Sequence, residues 1–203
     1  MSATIRGPDG KLRCRWCSAA PEFLAYHDTE WGLPEADDRR LFEKLSLEGF
    51  QSGLSWRTIL AKRENFRAAF RDFDFDRVAR FTGRDVARLL KDAGIVRHRG
   101  KIEAVINNSR RAQELVKREG SLAAFIWRYE PGSKRLAKPQ TVSTSAEAVA
   151  LSKDLKKLGW KFVGPTTVYA FMQAMGLIND HVEGCVIRGK VERARRSFKR
   201  PGY

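Results

Sequence analysis

The stretch SAEAVALSKDLKKLGWKFVGPTTVYAFMQAM, residues 145–175, reads as two helices and the turn that joins them. Thr144 or Ser145 supplies an N-cap, Leu151, Leu155 and Leu158 recur at helical spacing, and Gly159 stops the run. Pro165 stands where a first-turn proline opens a helix, and Val168, Phe171, Met172 and Met175 give that helix an apolar face. Between the two, Gly159-Trp160-Lys161-Phe162-Val163-Gly164 is a short apolar turn ending on free helix N–H groups. Those groups, reinforced by the helix dipole, suit one backbone phosphate beside Lys161 and Gly164; an ordinary αα-hairpin has the same pattern.

The pattern stays helical on both sides. Asp37 and Asp38 open a helix in which Leu41, Phe42 and Leu45 recur, running towards Glu48 and Gly49. The next begins near Ser55 and buries Trp56, Ile59 and Leu60, then Phe66 and Phe70. Thr82 with Asp85 resembles a capping box before Val86, Leu89 and Leu90, and Gly94 reads as the glycine that closes this helix. Ile102, Val105, Ile106, Ala112 and Leu115 form a stripe ending at Gly120, after which Ser121 caps a short segment with Phe125, Ile126 and Trp127. Glu130 to Ser143 is a polar loop. No segment alternates with period two, so the expected class is all-α. The expected organisation is one helical domain over residues 13–187, an extension at 1–12 and a basic tail at 188–203. The tail has seven basic residues against Glu192 alone, as a solvated tail or a DNA-facing arm would.

The 203 residues contain 39 Lys and Arg against 24 Asp and Glu, a formal net charge of +15, so an anionic partner is expected and nucleic acid leads. The longest uncharged stretch, Phe162 to Asn179, holds Gly164, Pro165, Thr166, Thr167, Gln173 and Asn179 and is too polar for lipid, so no membrane partner is expected. Met1 to Arg13 has no apolar run and does not read as a secretory signal, which points to an intracellular protein. Three cysteines in such a chain suit metal ligation or plain burial better than a disulfide framework.

His181 and Cys185 are four apart, so both could reach one ion from a single helix end, and Cys14, Cys17 and His27 cluster near the other terminus. Four Cys and His ligands suit a closed tetrahedral zinc site; a buried apolar cysteine and a satisfied core histidine fit the same residues. Glu48 follows Leu41 and Leu45 at helical spacing, which puts a carboxylate on the apolar stripe of its helix. A desolvated carboxylate in a cleft has a tuned pKa and strong hydrogen-bonding power, whereas a helix that frays early would leave it solvated. Trp56, Tyr26 and Trp31 supply flat apolar faces close by in sequence, suited to stacking on a base or to the core. A zinc-stabilised nucleic-acid binder without catalysis, or an RNA-binding protein, would also explain the charge. Glu48 speaks for chemistry on a base, because a phosphate binder gains nothing from a buried anion facing its ligand.

The stretches Ala25-Tyr26-His27-Asp28-Thr29-Glu30-Trp31-Gly32, Leu47-Glu48-Gly49-Phe50-Gln51-Ser52-Gly53-Leu54-Ser55-Trp56, Ile95-Val96-Arg97-His98-Arg99-Gly100-Lys101-Ile102, Lys161-Phe162-Val163-Gly164-Pro165-Thr166-Thr167 and Asn179-Asp180-His181-Val182-Glu183-Gly184-Cys185 occur in this order. Together they resemble the type I 3-methyladenine DNA glycosylases of bacteria, a branch of the helix-hairpin-helix glycosylases. The resemblance implies an all-α helix-hairpin-helix bundle with a structural zinc at Cys14, His27, His181 and Cys185 joining the two termini; Cys17 is a departure and leaves a second ligand set open. It implies a base pocket at Glu48, Tyr26, Trp56 and Phe23, a residue filling the gap in the duplex at Leu54 with Gln51 beside it, and Asp180 as a second-ranked carboxylate. The implied activity is hydrolytic excision of 3-methyladenine from alkylated double-stranded DNA, leaving an abasic site. It is expected without strand cleavage, since no lysine lies in the matched pocket motifs. A monomer in the bacterial cytoplasm, associated with the nucleoid, completes the expectation.

Overall fold

The computed structural model describes residues 3–132 and 138–202. Strands β1 (Thr4–Arg6) and β2 (Leu12–Cys14) pair antiparallel, with Ile5 opposite Arg13. Helices follow in the order α1 (Pro21–Thr29), α2 (Asp38–Gln51), α3 (Trp56–Ala61), α4 (Arg63–Ala69), α5 (Phe75–Val78), α6 (Gly83–Lys91), α7 (Arg99–Glu119), α8 (Leu122–Ile126), α9 (Ala146–Lys157), α10 (Pro165–Ala174) and α11 (Val186–Ser197). The fold is therefore mostly helical, as the periodicity indicates, with a strand ribbon that the all-α expectation lacked. Strands of three residues are too short to show alternation. This ribbon is fastened instead by Arg13, whose guanidinium bonds Asp9 at 2.6 Å and Asp28 of α1 at 2.8 Å.

Helix α2 is the axis of the bundle and packs against α3, α7, α8 and α10. The Asp37 carboxylate accepts from Arg40 N and starts the helix, and Leu41, Phe42, Leu45, Leu47 and Phe50 are all buried. Each such side chain contributes roughly 1.5–3 kcal/mol on leaving water. Phe66 and Phe70 extend the core from α4, the Phe66 ring lying 4.6 Å from that of Phe50.

The turn between α9 and α10 forms where the sequence puts it. Ser145 caps α9, Pro165 opens α10, and Gly159 takes φ +81°, which an L side chain would resist. The preceding long helix holds this turn: Asn108 of α7 bonds both the N–H and the C=O of Lys161, at 2.8 and 2.9 Å, and Asn107 donates to Gly159 O.

Other boundaries differ from the sequence reading for local reasons. The helix beginning near Ser55 breaks at Lys62, separating α3 from α4. The capping box of Thr82 and Asp85 is formed, but α6 stops at Lys91, because Asp92 caps it and accepts from Gly94 N at 2.8 Å. Residues 130–143 are irregular where described, and 133–137 of that loop lie outside the described residues. Beyond residue 188 the chain continues as α11, with Val191 buried and the Arg195 guanidinium bonded to Glu130 at 2.9 Å. Among the described residues no helix is long and apolar enough to cross a membrane.

Candidate functional site

Three helices bring the predicted pocket residues together. Tyr26 comes from α1 and Glu48 from the last turn of α2, while Trp56 is the first residue of α3, set there by the Ser55 cap on Thr58 N. With Trp16, Trp31, Gln51, Ala170 and Gln173 they line a cavity of about 160 Å³. The Tyr26 and Trp56 rings are 5.4 Å apart and tilted, and Trp16 stands edge-on to Trp31 at 5.0 Å. Glu48 is only 5% exposed. Burial pushes the Tyr26 phenol well above its ordinary pKa, and the Glu48 charge pushes the same way. The Trp56 indole N–H is buried without a partner among the described residues, an orphan donor in the wall of the site.

Phe23 lies outside the lining and packs edge-on against Trp16 at 5.8 Å. Asp180 is also outside: it accepts from Gln140 N at 3.0 Å and from Gln173 Nε2, and so holds a side chain that does line the cavity. Trp16 and Gln173 had no signal in the sequence, because they arrive from segments far from the α2–α3 motif.

Lys44 was also missed. Its ammonium is 2.6 Å from Glu48 Oε1, 3.4 Å from the centroid of Trp56 and 5.2 Å from that of Tyr26. Burial pulls its pKa below the ordinary lysine value, and the Glu48 charge opposes that shift. The signal was present in principle, since Lys44 precedes Glu48 by one helical turn. Lys44 also borders a second cavity of about 300 Å³ whose wall carries Glu30, Glu35 and Glu43; Tyr26 and Trp56 line both.

Leu54 follows α2 in the turn that Gln51 begins and is 41% exposed. The Lys101 ammonium holds that turn from below by bonding Phe50 O, at 2.8 Å, and Ser52 O. The turn carrying Lys161 and Gly164 packs beside it: a Cβ on Gly49 would stand 3.3 Å from Phe162 Cβ, so a glycine lets the two segments close up. Leu54 and Phe162, 39% exposed, are thus apolar side chains left in solvent by neighbouring turns.

At the termini, Cys14, His27, His181 and Cys185 place one ligand atom each within 4.8 Å of the others, all buried. The contacts are 3.2 Å between His27 Nε2 and His181 Nδ1, 3.6 Å from Cys14 Sγ to His181 Nδ1, and 3.5 Å from Cys185 Sγ to His27 Nε2. Ligands about 2.0–2.3 Å from a common tetrahedral centre have separations of this size. The outer nitrogens are already engaged, His27 Nδ1 with Asp28 at 2.7 Å and His181 Nε2 with Trp31 O at 3.0 Å, so the inner ones are free to ligate. The Cys14 thiol donating to Cys185 holds the Cys185 sulfur well below the usual thiol pKa and drives Cys14 well above it. The residues therefore fit a metal. Cys17 is buried but stands outside this group. His181 and Cys185 do not share a helix end as their spacing suggested: a turn closed by Cys185 N bonding Val182 O brings them together, and Cys185 is the N-cap of α11.

Comparison with known proteins follows the same geometry. Residues 16–188 match the family model described as Methyladenine glycosylase. DNA-3-methyladenine glycosylase 1 of Escherichia coli is 51% identical over 177 residues, covering 85% of this chain and 95% of that protein. A crystal structure of a 3-methyladenine DNA glycosylase I matches with a TM-score of 0.80 and 48% identity, over 86% of this chain and 98% of the other. A second, of a single-residue variant of such an enzyme in complex with 3-methyladenine, matches with a TM-score of 0.81 and 38% identity, over 87% and 97%.

Proposed function

The chain belongs to the methyladenine glycosylase family, and from that premise we propose that it extrudes 3-methyladenine from alkylated duplex DNA and hydrolyses the bond to the sugar, leaving an abasic site. The observation that carries this reading is the Glu48 carboxylate buried among Trp16, Tyr26, Trp31 and Trp56 in a cavity large enough for a base. A purine alkylated at N3 is cationic while attached to the sugar. When the bond from C1′ to N9 breaks, the electron pair neutralises the ring, and water adds at C1′ and releases a proton. Little acid catalysis is needed, so the pocket's task is to hold the extruded base. Glu48 accepts hydrogen bonds from the base edge, Trp56 stacks on its face, Tyr26 orients base or carboxylate, and Phe23 supports this wall through Trp16. Free 3-methyladenine released from methylated DNA, measured by chromatography, tests the activity; no release above a control without protein would end this reading.

Leu54 is the plug for the vacated stack, with Gln51 beside it, and the helix-hairpin-helix turn of Lys161 and Gly164 takes a backbone phosphate at the N-terminus of α10. Replacing Leu54 with Ala is expected to lower kcat/KM on duplex DNA about tenfold, or ~1.4 kcal/mol. Release from single-stranded methylated DNA should change less, and melting hardly at all, because this side chain is exposed. Equal losses on both substrates would mean that Leu54 does not support extrusion.

We further propose that the chemistry is monofunctional. Lys44 does not line the cavity but pairs with Glu48 in its wall, and that pairing keeps it from the sugar as a nucleophile. Borohydride treatment during turnover should trap no protein–DNA adduct; a stable adduct lost in Lys44→Met would reverse this. Zinc is proposed at Cys14, His27, His181 and Cys185, where it would supply a structural tie between the chain ends. The bacterial relative suggests a bacterial cytoplasmic enzyme acting on the nucleoid, here read as a monomer.

A further inference from the structure

We propose that Phe162 is a second apolar contact with the duplex, packing on the sugar and base edge beside the phosphate taken by α10 while Leu54 fills the vacated stack. The inference rests on the DNA reading above. Phe162 lines neither of the two cavities near Glu48, so it acts on the DNA strand and not on the extruded base. The residue is 39% exposed, and its backbone sits at φ +56°, in the left-handed region that a bulky side chain rarely adopts.

Both chain neighbours hold it there. The Asn108 side chain bonds the N–H and the C=O of Lys161, and Ser152 Oγ of α9 donates to Val163 O at 2.6 Å. The Phe162 backbone is seated on α2 at Gly49, where an added Cβ would stand 3.4 Å from the Phe162 carbonyl oxygen. Strain of this kind persists where the surroundings over-determine it, and it collects at binding sites. A glycine would make the same turn without strain and a polar residue would be better solvated, so the turn itself does not require an exposed ring. The surroundings are cationic: Lys161 is exposed beside Phe162, and the ring meets that of His98 edge-on at 6.4 Å, a residue exposed in sequence between Arg97 and Arg99. An apolar ring among cations, two residues before the Gly164 N-cap of α10, suits the apolar face of a nucleotide whose phosphate that helix takes.

The test measures dissociation constants of the full chain for duplex DNA carrying a tetrahydrofuran abasic site, by fluorescence anisotropy at one salt concentration and below the melting temperature. Phe162→Ala and Phe162→Gly should each weaken this binding about tenfold, and Phe162→Leu, which keeps an apolar side chain, should stay within about threefold of wild type. Binding of free 3-methyladenine, followed by tryptophan fluorescence, should be unchanged in all three. The glycine variant separates contact from fold: it takes φ +56° freely and should melt no lower than Phe162→Ala. If Phe162 only shaped the turn, Phe162→Gly would bind the duplex like wild type, and that result overturns the proposal. Affinity within about twofold of wild type in both truncations overturns it as well. A wild-type protein that does not bind the abasic duplex at all removes the DNA reading itself; one that binds it while the truncations change nothing removes the role of Phe162 alone.

Discussion

Glu48→Gln is expected to lower the rate of 3-methyladenine release by at least about tenfold, ~1.4 kcal/mol at the transition state, and to destabilise the protein as well. The carboxamide keeps one acceptor but turns an N–H₂ donor towards the base edge, and it no longer compensates Lys44. An unneutralised ammonium is then left against Trp56, in the wall of the cavity that a cationic base has to enter. Taken from its position on the stripe of Leu41 and Leu45 alone, Glu48 is a desolvated carboxylate without a partner, and neutralising it should leave stability unchanged or raised. The ion pair with Lys44 reverses that sign. Removing one partner of a buried pair costs about 3–5 kcal/mol when the other charge stays. Burial already lowers the pKa of Lys44, so loss of its proton would cap the penalty. The double substitution Glu48→Gln with Lys44→Met removes both charges and should recover most of the stability without restoring activity. Melting curves of both variants, together with the release assay run well below melting, separate the effects. A Glu48→Gln protein that is less stable yet fully active in the cold would take Glu48 out of the site.

The same helix shows where sequence reasoning reached its limit. From Leu41 to Phe50 every residue of α2 is buried, so no solvent face exists to contrast with a core face, and periodicity loses its meaning. Glu48 was legible as a carboxylate out of place. Lys44 was not, because a Lys and a Glu one turn apart ordinarily mark an exposed, solvated face. Caps were read well at Ser145, Pro165 and Thr82, where a side chain acts on backbone only a few residues away. Gly94 misled for the same local reason, since the Asp92 side chain competed for its N–H. Helix α1 carries Tyr26 and His27 without a regular apolar stripe, and Trp16 and Gln173 join the cavity from elsewhere in the chain. Those placements are tertiary, and one sequence has no term for them.

Removing the metal proposed at the Cys14, His27, His181 and Cys185 group is expected to disable base binding while leaving most of the helix content intact. Cys14, Cys185, Val182, Tyr26, Trp31 and Ala174 form a small buried cluster separate from the main core of α2, α4, α7 and α10, with Trp16 and Trp56 packed against it. The His27 ring stands 5.3 Å from Trp16, and His181 Nε2 bonds the carbonyl of Trp31, so the residues that would hold zinc also position two walls of the cavity. Protein purified without added metal should contain about one zinc per chain, consistent with a closed four-ligand site. Cys14→Ser should lose it and Cys17→Ser should keep it, because Cys17 stands outside the ligand group. Structural zinc sites contribute folding free energy directly, up to about 10–16 kcal/mol in isolated zinc-finger peptides. Here the main core folds around other side chains, so the expected signature is a lower melting temperature, preserved far-ultraviolet helix signal and weakened binding of 3-methyladenine together. Metal-free protein whose melting is unchanged by chelators would refute the site, and retention in Cys14→Ser with loss in Cys17→Ser would move the ligand from β2 to the turn that follows it.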